Sequence, residues 1–197
     1  MGFKRFIFIH NLVFVLQFDA IFTNMEEKVI LVDIDDNVIG EMDKMEAHEL
    51  GKLHRAFSVF ILNSKGELLL QQRAFSKYHS PGLWTNTCCS HQRRDEDSLS
   101  AAHRRLNEEM GISSDLTEAF TFLYKADMGN GLTEHELDHV IVGVCDQEPL
   151  VNDEEVADWA WVNLDDLKRD LADSPEKYTA WFKIVFDQFY EHIQASA

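Results

Sequence analysis

Short apolar runs separated by polar turns make up most of the chain after residue 25. The runs 29–32, 55–62 and 67–72 are rich in aliphatic and β-branched residues and end in turn residues, so they predict strands. Four residues, 63–66, separate the second run from the third, and their Asn-Ser-Lys-Gly sequence is typical of a turn. This pattern predicts a β-hairpin from 55 to 72.

The second half of the chain alternates between strand patterns and helix patterns. Segments 119–125 and 132–144 predict further strands joined by a turn at 128–131. In segment 153–161 an acidic loop leads into an aromatic strand. Helical spacing predicts a helix over 98–110 that ends at Gly111, and a shorter one after Asn163. A last helix, with a broad apolar face, is predicted to open at Pro175.

Residues 85–91 alternate in a way that separates two adjacent cysteines. Successive side chains of an extended segment point to opposite faces, so Cys89 and His91 share one face and Cys88 takes the other. We therefore expect Cys89 and His91 to face a common pocket.

The segment 132–144 carries carboxylates on the face that continues as valine. Glu134, Glu136 and Asp138 alternate in phase with Val140 and Val142. If the valines pack inward, the carboxylates are buried too, and a buried carboxylate requires a metal, a cation or a raised pKa. The alternative is that this end of the strand emerges into solvent.

Composition limits the class of protein. With 197 residues, 45% of them hydrophobic, the chain is long enough for one domain with a full core. The net charge of -17 argues against nucleic acid or an anionic membrane surface as a partner. Three cysteines, two of them adjacent, give no ordinary disulfide framework, which fits a reducing, cytoplasmic setting.

The N-terminal run 6–22 follows Lys4 and Arg5 and resembles the start of a signal peptide. Polar residues interrupt the run and no small-residue cleavage site follows, so neither secretion nor stable membrane insertion is expected. We expect residues 1–24 to be a dispensable extension or the product of an upstream start, and residues 25–197 to form the domain.

Charged residues crowd the helix predicted at 98–110. Arg105 and Glu109, spaced i and i+4, would share a face, and an exposed Arg–Glu pair is the ordinary explanation. The spacing also follows the Nudix box, G-x5-E-x7-R-E-U-x-E-E-x-G-U, where U is apolar. The matching positions run from Ser90 through Glu96, Arg104, Arg105, Leu106, Glu108, Glu109 and Gly111 to Ile112.

Two positions depart from that box, since Ser90 replaces Gly and Arg105 replaces a Glu that holds metal in Nudix hydrolases. These departures, together with the segment TNTCCSH at 85–91, are what type I isopentenyl-diphosphate isomerases show, and the chain resembles that family from Met25 to its end. The resemblance implies an α/β (α+β) Nudix-like fold with a mixed central sheet between helices. It also implies interconversion of isopentenyl and dimethylallyl diphosphate, by a monomer or weak dimer.

The resemblance further implies the residues of the site. Those implied for catalysis are Cys89, Glu136, Tyr124 and Trp181, with Glu136 donating a proton and Cys89 accepting one as thiolate. Those implied for diphosphate binding are Lys44, Arg73, Lys77 and Arg105. Those implied for metal are His48, His54, His91, Glu134 and Glu136, a set open to zinc, manganese or magnesium, with Glu109 holding a diphosphate-bridging magnesium.

Taken alone, these residues allow simpler interpretations. His48 and His54 are six apart and can meet only if the chain bends at Gly51, and Trp181 fits an ordinary core position. Two other functions also stay open. One is a Nudix-type hydrolase of a nucleoside or prenyl diphosphate, against which Arg105 stands. The other is a metal-binding module without catalysis, which has no need for Cys89, His91, Glu134 and Glu136 together.

Overall fold

The structure, a computed structural model, describes residues 27–196, which form nine strands, four α-helices and one 3₁₀ turn. The strands are β1 Lys28–Val32, β2 Val38–Asp43, β3 His54–Leu62, β4 Glu67–Arg73, β5 Trp84–Thr85, β6 Cys88–Ser90, β7 Leu116–Gly129, β8 Leu132–Val144 and β9 Val156–Asn163. The helices are α1 Lys44–Leu50, α2 Ser98–Met110, α3 Leu164–Asp173 and α4 Ala180–Ser196, with the 3₁₀ turn at Pro175–Lys177.

Strand β3 is the axis of the sheet. Along one edge it pairs in parallel with β8 over its whole length, from His54 opposite Glu136 to Leu62 opposite Val144. The other edge is shared in turn by β1, β6 and β4, all antiparallel. β7 extends the sheet beyond β8, and β9 pairs with β4. The mixed sheet expected from the sequence is confirmed.

The hairpin predicted from 55 to 72 forms only at its turn. In the described strands, β3 and β4 pair at Leu62 and Leu68 and then separate. The segment 84–90 enters the gap, with β6 pairing to β3 and β5 pairing to β4. The Thr87 hydroxyl joins the two diverging strands, because its oxygen accepts from the Ile61 amide at 2.9 Å and donates to the Leu69 carbonyl at 2.6 Å.

Replacing Thr87 with valine should therefore destabilise the fold. The change keeps the shape of the side chain but leaves a buried amide and a buried carbonyl without a partner, at a cost of about 2 kcal/mol. Urea unfolding followed by tryptophan fluorescence measures it. Thr117→Val on exposed β7 is the matched control and should change the free energy of unfolding by less than about 0.5 kcal/mol. Equal stability of both variants would contradict the role assigned to Thr87.

Two hydrophobic clusters lie on the two faces of the sheet. One packs α2, through Ala102, Leu106 and Met110, against Phe57 and Cys88. The other holds α3 and α4 against the opposite face, where β3 contributes Phe60, and its helical members are Leu164, Leu167, Trp181, Phe182, Val185, Phe186 and Phe189. The sheet thus lies between helices, as the resemblance implied.

The ends of the helices follow local chemistry. The Asp97 side chain caps α2 at the Ser100 amide, and Gly111 closes it with a left-handed φ of 65°. Asn163 caps α3 through the amides of Asp165 and Asp166, as predicted. Pro175 opens the 3₁₀ turn rather than the last helix, which begins at Ala180, so that prediction was wrong.

The predictions for residues 1–24 lie outside the described residues. Within residues 27–196, no helix is long and apolar enough to cross a bilayer.

Candidate active site

A cavity of about 330 Å³ opens beside β3, β6 and β8 and collects most of the predicted site. The predicted residues that line it are Lys44, Arg73, Lys77, Cys89, His91, Arg105, Glu109, Tyr124, Glu134, Glu136 and Trp181. His48 and His54 lie directly behind the wall and are fully buried. These residues come from eight elements and two loops, and the sheet brings them together.

Three imidazoles form a cluster at the inner end of the cavity. The bend at Gly51, with a left-handed φ of 56°, brings His48 at the end of α1 within 5.0 Å of His54, measured between ring centroids. His91 follows β6 and lies 5.0 Å from His54 in the same measure. The bend that the spacing of the two histidines required is therefore present.

The backbone fixes how two of these rings are oriented. Nδ1 of His48 lies 2.5 Å from the Lys44 carbonyl oxygen, and Nδ1 of His54 lies 2.8 Å from the Lys52 carbonyl oxygen. Carbonyls only accept, so each Nδ1 carries the hydrogen, and in the neutral ring Nε2 presents a lone pair. Both Nε2 atoms are buried and neither forms a hydrogen bond, although Nε2 of His54 lies close to the Glu136 carboxylate.

Glu136 faces this cluster. Its Oε1 lies 3.3 Å from His54 Nε2 and 3.1 Å from His91 Nε2, and its Oε2 accepts from the Tyr124 hydroxyl at 2.6 Å. Burial alone would raise the pKa of Glu136, but the imidazoles of His54 and His91 outweigh burial and hold it well below its usual range. Burial lowers the pKa of His91 to about 4, so its ring is neutral at pH 7.

This geometry fits a divalent cation. When the His54 ring is neutral, its Nε2 presents a lone pair to the Glu136 carboxylate, an arrangement that a cation between the two would satisfy. The candidate ligand atoms of His48, His54, His91 and Glu136 all lie within 4.8 Å of one another, a spread suited to coordination after small adjustments. Two of the four candidate ligand atoms, Nε2 of His48 and Nε2 of His54, form no hydrogen bond. Buried polar atoms without a hydrogen bond are uncommon, which supports a metal site here rather than a hydrogen-bonded core.

Glu134, Glu136 and Asp138 do point inward. Their exposed fractions are 5%, 4% and 1%, so this end of β8 does not emerge into solvent, and the inward prediction is confirmed. Burial, followed by the charge of Glu136, raises the pKa of Glu134 to about 8. Glu134 Oε2 accepts from the Tyr124 hydroxyl at 2.8 Å, so one phenol donates toward both glutamates.

The two cysteines of β6 separate as the alternation predicted. Cys89 lines the cavity, whereas Cys88 is fully buried in the cluster under α2. Burial, reinforced by the charges of Glu109, Glu134 and Glu136, raises the pKa of the Cys89 thiol, with Arg73 opposing. The chain therefore favours the thiol at this position when neither substrate nor cation is bound.

Trp181 is a core residue of the cluster under α4 that also lies in the cavity wall. Its indole nitrogen donates to Asn86 Oδ1 at 3.3 Å, and the Arg73 guanidinium lies 5.2 Å from the ring centroid. Asn86 also donates to the carbonyls of Val59 and Cys88, so a buried amide ties the indole to β3 and β6.

The four predicted cations line one side of the cavity, each beside a carboxylate or carbonyl. Lys44 binds Glu27 at 2.9 Å, and Arg73 donates to the His79 carbonyl at 3.2 Å. Glu155 pairs with Lys77 and lies 3.2 Å from Arg105. An anion entering here would meet these donors and compete with the carboxylates that hold them.

The Nudix-like segment forms a loop and helix under the cavity. Glu96 accepts two bonds from Arg104, each 2.8 Å long, and so ties the loop to α2. Arg105, where hydrolases have Glu, binds Glu109 at 2.6 Å. Gln71 donates to the other Glu109 oxygen at 2.9 Å. At the position where hydrolases have a glutamate, this chain therefore has the positively charged guanidinium of Arg105, held by Glu109.

Sequence reasoning missed several residues of the cavity, and two of them, His79 and Glu155, lie beside charged residues of the predicted site. His79 is buried in the loop after β4, with its Nε2 3.2 Å from Glu134 Oε1, and burial lowers its pKa to about 3. Glu155 bridges Lys77 and Arg105. Neither lies in a periodic segment, so the pattern of the sequence gave no signal for them.

Comparison with known proteins agrees with the fold. A family model described as NUDIX domain matches residues 52–182. A solved structure from Deinococcus radiodurans aligns with a TM-score of 0.69 at 19% identity, covering 82% of this chain and 98% of that chain. A MutT NUDIX hydrolase from Burkholderia pseudomallei gives 0.56 at 24% identity, covering 70% and 98%. The fold is therefore that of a Nudix domain.

Similar proteins of higher sequence identity define the family within the Nudix domains. A Serratia proteamaculans protein is 52% identical over 161 residues, which span 82% of this chain and 90% of the relative. A Pectobacterium atrosepticum protein is 49% identical over 168 residues, covering 85% and 94%. Both are named isopentenyl-diphosphate Delta-isomerase. The chain belongs to the isopentenyl-diphosphate Delta-isomerase family of the Nudix superfamily.

Proposed function

We propose that this chain interconverts isopentenyl diphosphate and dimethylallyl diphosphate by moving protons at a buried site. Family membership supports the reaction. The observation that carries the proposal is that Cys89 and Glu136 line one cavity from strands on opposite edges of β3. A proton donor and a proton acceptor on two sides of a hydrocarbon are what a 1,3-allylic shift requires.

In the forward direction, Glu136 gives a proton to the terminal carbon of the double bond, and the Cys89 thiolate removes one from the allylic carbon. The two transfers leave a thiol on Cys89 and a carboxylate on Glu136. Without substrate or cation, the raised pKa of Cys89 and the lowered pKa of Glu136 favour these same two forms. That state is also the starting point of the reverse reaction. Tyr124 donates toward Glu136 and holds its carboxylate in place.

Positive charge that develops on the substrate is stabilised by an electron-rich surface from which water is excluded. Trp181 supplies a π face at the cavity and is held there by Asn86. Because Trp181 is 2% exposed, its ring has little contact with bulk water. Water that reached the cation-like carbon would divert the reaction to an alcohol, so burial protects the outcome.

A divalent cation at the histidine cluster would be held by His48, His54, His91, Glu134 and Glu136. The mixed nitrogen and oxygen donors favour Mn²⁺ or Zn²⁺ over Mg²⁺ alone. When bound, such a cation draws electron density from the carboxylates and fixes their orientation. Mg²⁺ is the second cation that we propose, bound with the diphosphate and Glu109, because hard oxygen donors suit it.

Lys44, Arg73, Lys77 and Arg105 bind the diphosphate in this proposal. The argument is electrostatic: the cavity also contains Glu27, Glu109, Glu134, Glu136, Asp138, Glu154 and Glu155, so its acidic groups outnumber these four cations. A free diphosphate would meet net repulsion, whereas its Mg²⁺ complex carries less negative charge and would meet less. Glu155 keeps Lys77 and Arg105 in position until the anion arrives.

The experiment is incubation with isopentenyl diphosphate, Mg²⁺ and trace Zn²⁺ or Mn²⁺ in D₂O. NMR follows deuterium entry and the appearance of dimethylallyl diphosphate, and a colorimetric assay follows released phosphate. We expect deuterium in both isomers without phosphate. Phosphate or diphosphate release without exchange would instead support the Nudix hydrolase, and neither signal would support a binding module.

The setting proposed for this activity is the cytoplasm, where thiols stay reduced. All three cysteines lie in the described part of the chain and all are free, and a disulfide at Cys89 would remove the proposed base. We propose a monomer or weak dimer with a small-molecule diphosphate as ligand and no nucleic-acid partner, since the net charge is -17. Sedimentation analysis tests the assembly state.

A further inference from the structure

His79 is in contact with three residues of the site, namely Trp181, Glu134 and Arg73. It lies in the loop between β4 and β5, which also carries Lys77, and it is 7% exposed. Its ring meets Trp181 edge to face, with centroids 5.8 Å apart and an interplanar angle of 87°. Its carbonyl accepts from Arg73 at 3.2 Å. These contacts indicate that the side chain of His79 does more than fill space in the core.

The ring nitrogens of His79 have different partners. Nδ1 lies 3.4 Å from the Ser80 hydroxyl, which can donate to it. Nε2 lies 3.2 Å from Glu134 Oε1, within ion-pair range. With hydrogen on Nε2, the ring can donate toward Glu134 while Nδ1 accepts from Ser80. Glu134 Oε2 accepts from Tyr124 at 2.8 Å, so the carboxylate is held from both sides.

We propose that His79 is a positioning residue that orients Glu134 toward the cation centre and couples that centre to the diphosphate-binding loop. The inference rests on the proposed cation site. A ligand carboxylate that is fixed by outer hydrogen bonds loses less freedom on binding metal, and loss of such a partner commonly costs about 10- to 100-fold in metal affinity. Through its carbonyl, the same residue keeps Arg73 beside Trp181.

A different role is also chemically conceivable for His79. His48, His79 and Glu134 have donor atoms within 4.8 Å of one another and could hold a cation directly. The geometry favours positioning, because the larger group of possible ligands, which contains His48, His54, His91 and Glu136, leaves His79 out. The two roles predict different spectra for a bound transition metal.

The test titrates the chelator-stripped full chain with Co²⁺, following visible absorption and measuring affinity by competition with a chelator. His79→Gln keeps a donor near the position of Nε2, whereas His79→Asn is too short and His79→Phe keeps only the ring against Trp181. We expect the Asn and Phe variants to bind Co²⁺ about 10- to 100-fold more weakly, with the shape of the spectrum unchanged. The Gln variant should recover affinity to within about threefold of the parent chain.

Three results would overturn the inference. A changed spectral envelope in the Asn or Phe variant would make His79 a ligand, and unchanged affinity in both would make it structural. If the Gln variant binds Co²⁺ as weakly as the Asn and Phe variants do, the hydrogen-bond donor of His79 is not what supports metal binding. If the parent chain itself binds no Co²⁺, the proposed cation centre fails, which is a different outcome from failure of His79 alone. Circular dichroism confirms the fold of each variant.

Discussion

Glu136→Gln should reduce isomerisation by at least about 10⁴-fold, the largest effect of any single change that we predict. The amide cannot donate the proton that we assign to Glu136, and it is a weaker, neutral substitute for the anionic ligand that we propose at the histidine cluster. The variant retains the size of the side chain and the Tyr124 hydroxyl as a neighbour. The loss of activity in Glu136→Gln should therefore arise from the missing charge and acidity rather than from altered packing.

Two measurements separate the two causes. The rate of deuterium exchange in D₂O reports the proton transfer, and elemental analysis of the dialysed protein reports the bound cation. We expect both to fall in Glu136→Gln. Glu148→Gln, which removes one exposed carboxylate outside the cavity, is the matched control and should change neither. A variant that retains its cation but loses exchange would assign Glu136 to acid chemistry alone, and full activity would reject both roles.

Local alternation was sufficient to predict how the site side chains divide between the two faces of each strand. Adjacent side chains of a strand point to opposite faces wherever the strand lies, so Cys88 and Cys89 separate, and Glu134 and Glu136 point inward together. The meeting of His48 with His54 was likewise predictable, since it depended on one glycine that adopts a left-handed conformation.

What the sequence could not provide was contact between segments far apart in the chain. The pattern at 55–72 is that of a simple hairpin, and nothing in it signals that Thr87 enters between the strands. His79 has no periodic neighbours, and its importance depends on Glu134, 55 positions later in the sequence. Glu155 gains its role only when β9 and α2 bring it between Lys77 and Arg105. Such non-local contacts are set by tertiary packing rather than by local pattern.

The start of the last helix shows a different limit. Pro175 fits the first turn of a helix, but the chain uses it in a 3₁₀ turn, because Tyr178 is tied to Asp170 at 2.6 Å and to Trp84 through an isolated bridge. The backbone at Tyr178 is consequently extended, and α4 begins only at Ala180. A local preference for helix was overridden by contacts with α3 and β5.

Cys89→Ala and Cys88→Ala form a pair in which the same atoms are removed from opposite faces of one strand. Cys89→Ala removes the proposed base from the cavity and should reduce isomerisation by about 10²- to 10⁴-fold. It should leave the melting temperature nearly unchanged, since Cys89 is only partly buried as a residue. Steady-state kinetics with isopentenyl diphosphate and a thermal melt provide both readouts.

Cys88→Ala should give the opposite result. Cys88 is fully buried among Ala101, Leu106 and Met110, so removing its sulfur leaves a small void and costs on the order of 1 kcal/mol of stability. Activity should remain within a few-fold of the parent chain, because the sulfur does not reach the cavity. Equal loss of activity in both variants would contradict the assignment of faces, since one strand cannot present adjacent side chains to the same substrate. Loss confined to Cys88→Ala would invert that assignment.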